Sequence, residues 1–261
     1  MTNTTLTKGQ LTELIGLISF ADDVELKLTV PDSDIRSTSE SLGFDPLESE
    51  IRQVVFFDTP DLELFRAGVV VRARRIQGGG GDTVVKLRPV RREQLAAGSL
   101  AMSPVGVEID AMPGGFVCSA SMKGTSTAKD VQRVIAGSAK LKSILSRDQR
   151  DFYKRHAPPD SKLNSLATLG PINILKLKFR PVDLARKMVA ELWMYPNGSR
   201  LLELSTKCAP SDAIEVAAET RKYLLRRGVD LTGGQAPKTK RALEHFAGIV
   251  RRQVEAEPAL R

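Results

Sequence analysis

Apolar and polar residues alternate with a period of two along much of the chain, the spacing expected of half-buried strands. Asp23 to Val30 alternates throughout and is stopped by Pro31. Arg52 to Asp58, Gly68 to Arg75, Thr83 to Val90 and Val105 to Ala111 read as further strands, with Gly78 to Gly81 as a flexible hairpin connection. Ile172 to Arg180, Met188 to Tyr195 and Leu201 to Lys207 complete the series, the last two joined through Pro196-Asn197-Gly198. Between them the period changes. Leu11, Leu14, Ile15 and Ile18 predict a short amphipathic helix, and Ala128 to Leu145 also has helical spacing. The Ser- and Asp-rich stretch after Pro31 reads as a loop. Ser211 with Glu215 close behind predicts a capped helix to about Arg227, stopped by Gly228, and a second helix is expected from Lys238 to about Val254.

Residues two apart in a strand share a face, so each strand can be sorted into two sides. Asp23, Glu25 and Lys27 oppose Val24, Leu26, Leu28 and Val30; Arg72 and Arg74 oppose Val69, Val71 and Ala73; Lys86 and Arg88 oppose Val85 and Leu87. Glu108 and Asp110 oppose Val107 and Ile109, Lys176, Lys178 and Arg180 oppose Leu175, Leu177 and Phe179, and Glu203, Ser205 and Lys207 oppose Leu202 and Leu204. A solvated face mixes Thr, Ser and Gln with charges, whereas these faces are almost purely ionic, with acids on some strands and bases on others. If helices cover the apolar faces, the charged faces line a barrel lumen, where carboxylates can hold a hard divalent ion and cations a polyanion.

The composition narrows the partner. Of 261 residues, 41% are hydrophobic and 27% charged, enough for a substantial core, and the formal charge of +8 points to an anionic partner. Cys118 and Cys208 are far apart and outside any CxxC spacing, which favours reduced thiols in a cytoplasmic protein. Leu11 to Phe20 is too short to cross a bilayer, so no membrane association is expected.

The strands also resemble a known family, the CYTH proteins of the triphosphate tunnel metalloenzyme group. Asp23-Val24-Glu25-Leu26-Lys27 matches the family's Glu-x-Glu-x-Lys with aspartate first. Phe56-Phe57-Asp58-Thr59-Pro60-Asp61-Leu62 followed by Gly68 and Arg72-Ala73-Arg74 resembles its second and third strands. The likeness covers roughly residues 20 to 210. It implies an α+β fold, an antiparallel eight-stranded barrel with helices covering its outside. The tail and a short helix would occupy 1–20, the barrel 21–210 with a helical insertion at about 113–171, and the C-terminal helices 211–261.

The resemblance further implies metal-dependent hydrolysis of a triphosphate, inorganic or organic, with Mg2+ or Mn2+. Asp23, Glu25, Glu108, Asp110 and Glu203 would bind metal, and Lys27, Arg72, Arg74, Lys86, Arg88, Lys178, Arg180 and Lys207 would hold phosphate oxygens. Glu25, Lys27 and Glu203 would be catalytic. Ser205 stands where the family usually has a second glutamate, and Asp23 is shorter than glutamate; both bear on whether a second metal binds and on hydrolytic power. Two other uses of the same residues stay open: a class IV-type adenylyl cyclase making cyclic AMP, and non-catalytic binding of polyphosphate, nucleotide or nucleic acid. An aromatic content of 5% offers few stacking platforms and argues against nucleic acid. Monomer and homodimer are both compatible with the C-terminal helices.

Overall fold

The computed structural model describes residues 6–96, 100, 104–231 and 238–256. In chain order they form α1 (Lys8–Ile18), β1 (Asp23–Val30), α2 (Ile35–Leu42), β2 (Glu50–Asp58), α3 (Glu63–Arg66), β3 (Val69–Ile76), β4 (Gly80–Leu87) and α4 (Arg92–Ala96). Then come β5 (Val105–Met112), β6 (Gly115–Thr127), α5 (Ala128–Ile135), α6 (Arg147–His156), β7 (Ala167–Phe179), β8 (Met188–Met194), β9 (Arg200–Cys208), α7 (Ala213–Arg226) and α8 (Lys238–Ala256).

The strands close into a barrel in the order β1-β5-β6-β4-β3-β2-β7-β8-β9, with helices around it. Two expectations are corrected. The barrel has nine strands rather than eight, and it is mixed rather than antiparallel, because β1 and β5 pair in parallel. The ninth strand is β6, which falls within the expected helical insertion; the helices of that interval are α5 and α6. The strand escaped the pattern because Cys118, Ser119, Ala120, Ser121 and Met122 are all buried, so its two sides do not differ in polarity. The stretch after Pro31 also contains α2 rather than loop alone.

The chain divides into two compact units, each built from three segments. The first comprises Met1–Ile51, Pro89–Ala120 and Ile174–Ala236. Its apolar strand faces are covered by helices: Leu28 and Val30 of β1, Ala190 of β8 and Leu202 and Leu204 of β9 form one core with Ile35 and Leu42 of α2 and Tyr223 and Leu224 of α7. Burial of these side chains, worth about 1.5–3 kcal/mol for each large one, fixes which side of each strand faces the helices. The charged residues are thereby left on the other side. Ser211 is not the α7 cap; Asp212 precedes the helix and its side chain receives the Ser211 hydroxyl, at 2.7 Å. Gly228, at φ 73°, provides the left-handed residue just after the helix.

The second unit comprises Arg52–Arg88, Ser121–Asn173 and Pro237–Arg261. In it β2, β3 and β4 form an antiparallel run with Arg74 opposite Val54 and Asp82. Gln149 of α6 pins that helix to the sheet. Its amide donates to the carbonyls of Thr83 (3.2 Å) and Met122 (3.1 Å), and its oxygen accepts the Thr83 hydroxyl (3.0 Å). The turn after β2 is organised by Asp58, whose buried carboxylate accepts the backbone N–H groups of Thr59, Leu64 and Phe65 at 2.7–3.0 Å. Burial pushes this carboxyl upward in pKa, and the three N–H groups act against that.

Candidate metal centre and basic strand faces

The parallel register of β1 and β5 sets Asp23 beside Glu108 and Glu25 beside Asp110. Glu25, Glu108 and Asp110 can therefore bring carboxylate oxygens within 4.8 Å of one another. Asp110 has a fully buried side chain, and those of Glu25 and Glu108 are 18% and 16% exposed. Three carboxylates so close repel one another unless cations accompany them. Lys27 does so: its ammonium lies 2.8 Å from Asp110 and 3.1 Å from Glu25. Burial would lower the lysine pKa, but the charges of Asp110, Glu203 and Glu25 more than offset it and hold Lys27 above the usual lysine range. Lys207 plays a similar part at the outer end, bonded to Glu108 and 3.8 Å from Asp23.

The predicted residues thus divide. Glu25, Glu108, Asp110 and Lys27 come together as one cluster. Asp23 lies at the exposed start of β1, and among the described residues it is outside the carboxylate group. Glu203 is also outside it; it pairs in register with Thr29 and Glu191 and acts on Lys27 through its charge. Ser205 stands directly opposite Lys27, so the carboxylate missing there is supplied to the lysine by Asp110 from β5. Lys178 and Arg180 are exposed, whereas Lys176 of the same strand is held by Glu191 at 2.9 Å. Trp193 is buried beside this pair, consistent with packing.

On the second unit, Arg72 and Arg74 share the β3 face opposite buried Val69, Val71 and Ala73, and Lys86 continues that face on β4. Arg88 follows the strand, its backbone N–H donating to Gly68 at 2.8 Å. Asp82 was not singled out by the pattern. It grips Arg74, whose Nε lies 2.8 and 2.9 Å from the two carboxylate oxygens, and whose terminal nitrogen lies 2.7 Å from one of them. The signal was present, since Asp82 is two residues before Val84 and four before Lys86 on one strand face.

Three anionic oxygen donors in reach of one another could hold a hard metal cation, and the ammonium among them shows that the cluster accommodates positive charge. No helix among the described residues is long and apolar enough to cross a membrane.

No protein-family model matches this chain, and no curated protein matches it. Solved structures do. The chain is similar to HpAC1 from Hippeastrum, a candidate adenylyl cyclase with a dominant triphosphatase activity. The identity is 16% and the TM-score 0.58, over 83% of this chain and 92% of that one. It is similar also to a candidate adenylate cyclase from Bacillus halodurans, at 11% identity and a TM-score of 0.58, over 85% of this chain and 97% of that one. At such identities the likeness is one of fold. The fold shared with them is a closed barrel of strands with helices around it, and it is the kind of fold that the resemblance to the CYTH proteins implied.

Proposed function

We propose that this chain is a metal-dependent triphosphatase. The observation that carries the reading is the group of Glu25, Glu108 and Asp110 around the Lys27 ammonium. These three carboxylates would hold Mg2+ or Mn2+, with Glu203 adding to the negative field. A divalent ion bound there supplies charge neutralisation for phosphate oxygens and a more acidic water. Lys27, held as a cation, stabilises charge rather than shuttling protons. Arg72, Arg74, Lys86 and Arg88 bind the polyanion through fixed donors, with Lys207, Lys178 and Arg180 as outer contacts. In the reaction water attacks the terminal phosphorus, the phosphoanhydride P–O bond breaks, and orthophosphate leaves with the shortened chain as co-product.

The similarity to a structure named for dominant triphosphatase activity supports hydrolysis over cyclisation. To test it, phosphate release from tripolyphosphate, ATP and thiamine triphosphate is measured with Mg2+ or Mn2+ for the wild type and Glu25→Ala. We expect the variant to lose about a hundredfold or more, the scale of a lost metal ligand or its neighbours. No wild-type turnover above the variant's would sink the proposal, and cyclic AMP as the main product from ATP would replace it with the cyclase.

A further inference from the structure

The inner side of α7 is fixed by Ala213, Val216, Thr220, Tyr223 and Leu224, all buried. On its outer side Ile214, Ala218, Arg221 and Leu225 follow one another at spacings of four, three and four residues, which keeps them in one stripe. All four are exposed, Ile214 to 74% and Leu225 to 48%. The charges beside this stripe are sorted along the helix. Asp212 precedes it and Glu215 and Glu219 lie in its first half, whereas Arg221, Lys222 and Arg226 lie in its second half and Arg227 just beyond. Glu219 is held within the chain by Arg186, at 2.9 Å, and Arg227 by Asp183; Arg186 also feels the Glu215 charge. Among the described residues Glu215, Arg221 and Lys222 make no ion pair. The helix dipole favours an acid in the first turn and a base in the last. It does not account for Arg221 and Lys222 before the last turn, nor for the exposure of Ile214 and Leu225. The exposed Leu11 and Ile15 of α1 differ in this respect, since that helix carries only Lys8 and Glu13 and nothing there selects an occupant.

We infer that the outer side of α7 is the contact face of a homodimer, in which the α7 helices of two copies pack antiparallel about a two-fold axis midway along the helix. Parallel packing would set acid against acid and base against base. Antiparallel packing sets Glu215 of each copy against Arg221 and Lys222 of the other, and Ile214 of each against Leu225 of the other, while small Ala218 near the axis lets the helices approach. One patch therefore serves both copies, as a two-fold interface requires. A helix of 14 residues is about 21 Å long. The contact thus belongs with the weak, reversible associations that bury less than roughly 1,200 Å2 in total. The pairing goes beyond the triphosphatase reading and does not depend on it.

Sedimentation equilibrium of the full chain over a range of concentrations tests the pairing, with Glu215→Lys as one charge variant and Arg221→Glu combined with Lys222→Glu as the other. The wild type should dimerise reversibly. Each variant places like charges across the two-fold axis, so its dimer should dissociate about tenfold or more easily. An equimolar mixture of the two variants restores both sets of opposite charges and should regain an affinity near that of the wild type, which also shows that each variant is folded. A wild type that stays monomeric at the highest concentration overturns the inference. So does a dimer that both variants leave unchanged, a mixture that recovers nothing, or a dimer that Leu11→Lys in α1 breaks and Ile214→Lys does not.

Discussion

Lys27 lies under two opposing pressures. Burial favours the neutral amine, while Asp110, Glu203 and Glu25 favour the ammonium, and the carboxylates win. Because its folded pKa is raised, the stability it contributes is fully present below the ordinary lysine value of 10.5 and is lost only as pH rises through the still higher folded value. No limb in the pH–stability profile of the metal-free protein between about pH 6 and pH 9 should therefore belong to Lys27. A limb in that window that vanishes in Lys27→Arg would contradict this. Lys27→Met removes the cation and strands the carboxylates. We expect a loss of about 3–5 kcal/mol in urea unfolding at neutral pH, the scale for breaking one side of a buried ion pair. Unchanged stability would show that solvent already screens the cluster.

The packing of α6 on β4 and β6 depends on one glycine. A Cβ placed on Gly124 would come within 2.5 Å of the Gln149 side-chain oxygen and 2.8 Å of the Thr83 hydroxyl. Gly124→Ala must therefore displace Gln149, leaving the buried Thr83 and Met122 carbonyls short of a donor. The expected cost is about 2–4 kcal/mol in urea denaturation, from overpacking together with lost buried hydrogen bonds; a change too small to resolve would mean that α6 shifts freely. Neither this contact nor β6 was legible in the sequence, because a strand buried on both sides gives no alternation. Strands with one charged side were legible: β1 spans Asp23–Val30 as its pattern implied. Glu25, Lys27, Glu108 and Asp110 could likewise be named from alternation and motif. Their grouping could not, since it depends on the parallel pairing of β1 with β5, and alternation within a strand says nothing about its neighbour. The same limit explains Asp23, which fits the motif yet lies at the exposed end of its strand.

The net charge of +8 conceals two opposite distributions. In the first unit Asp and Glu outnumber Lys and Arg; in the second the order is reversed. Cation and polyanion should therefore stabilise the fold in distinguishable ways. Mg2+ or Mn2+ bound by Glu25, Glu108 and Asp110 at a hundred times its dissociation constant would add about 2.7 kcal/mol. For a chain of this size that is a rise of roughly 5–10 °C in melting temperature. Glu108→Gln keeps the side chain's size and removes one anionic donor, so the rise should shrink by more than half, while removing the metal with EDTA should return the wild type to its starting value. Tripolyphosphate added without metal should also raise the melting temperature, through the half-buried basic faces of β3 and β4, and that rise should fall with added NaCl because the free polyanion is fully solvated and its attraction to these side chains is screened over about 10 Å at 0.1 M salt. The metal effect should resist the same salt better, since Asp110 is fully buried and an ion held by three converging carboxylates is attracted at contact distance rather than across solvent. Differential scanning fluorimetry across a salt series separates the two. Equal salt sensitivity, or no response to metal in the wild type, would remove the three carboxylates from the metal-binding role.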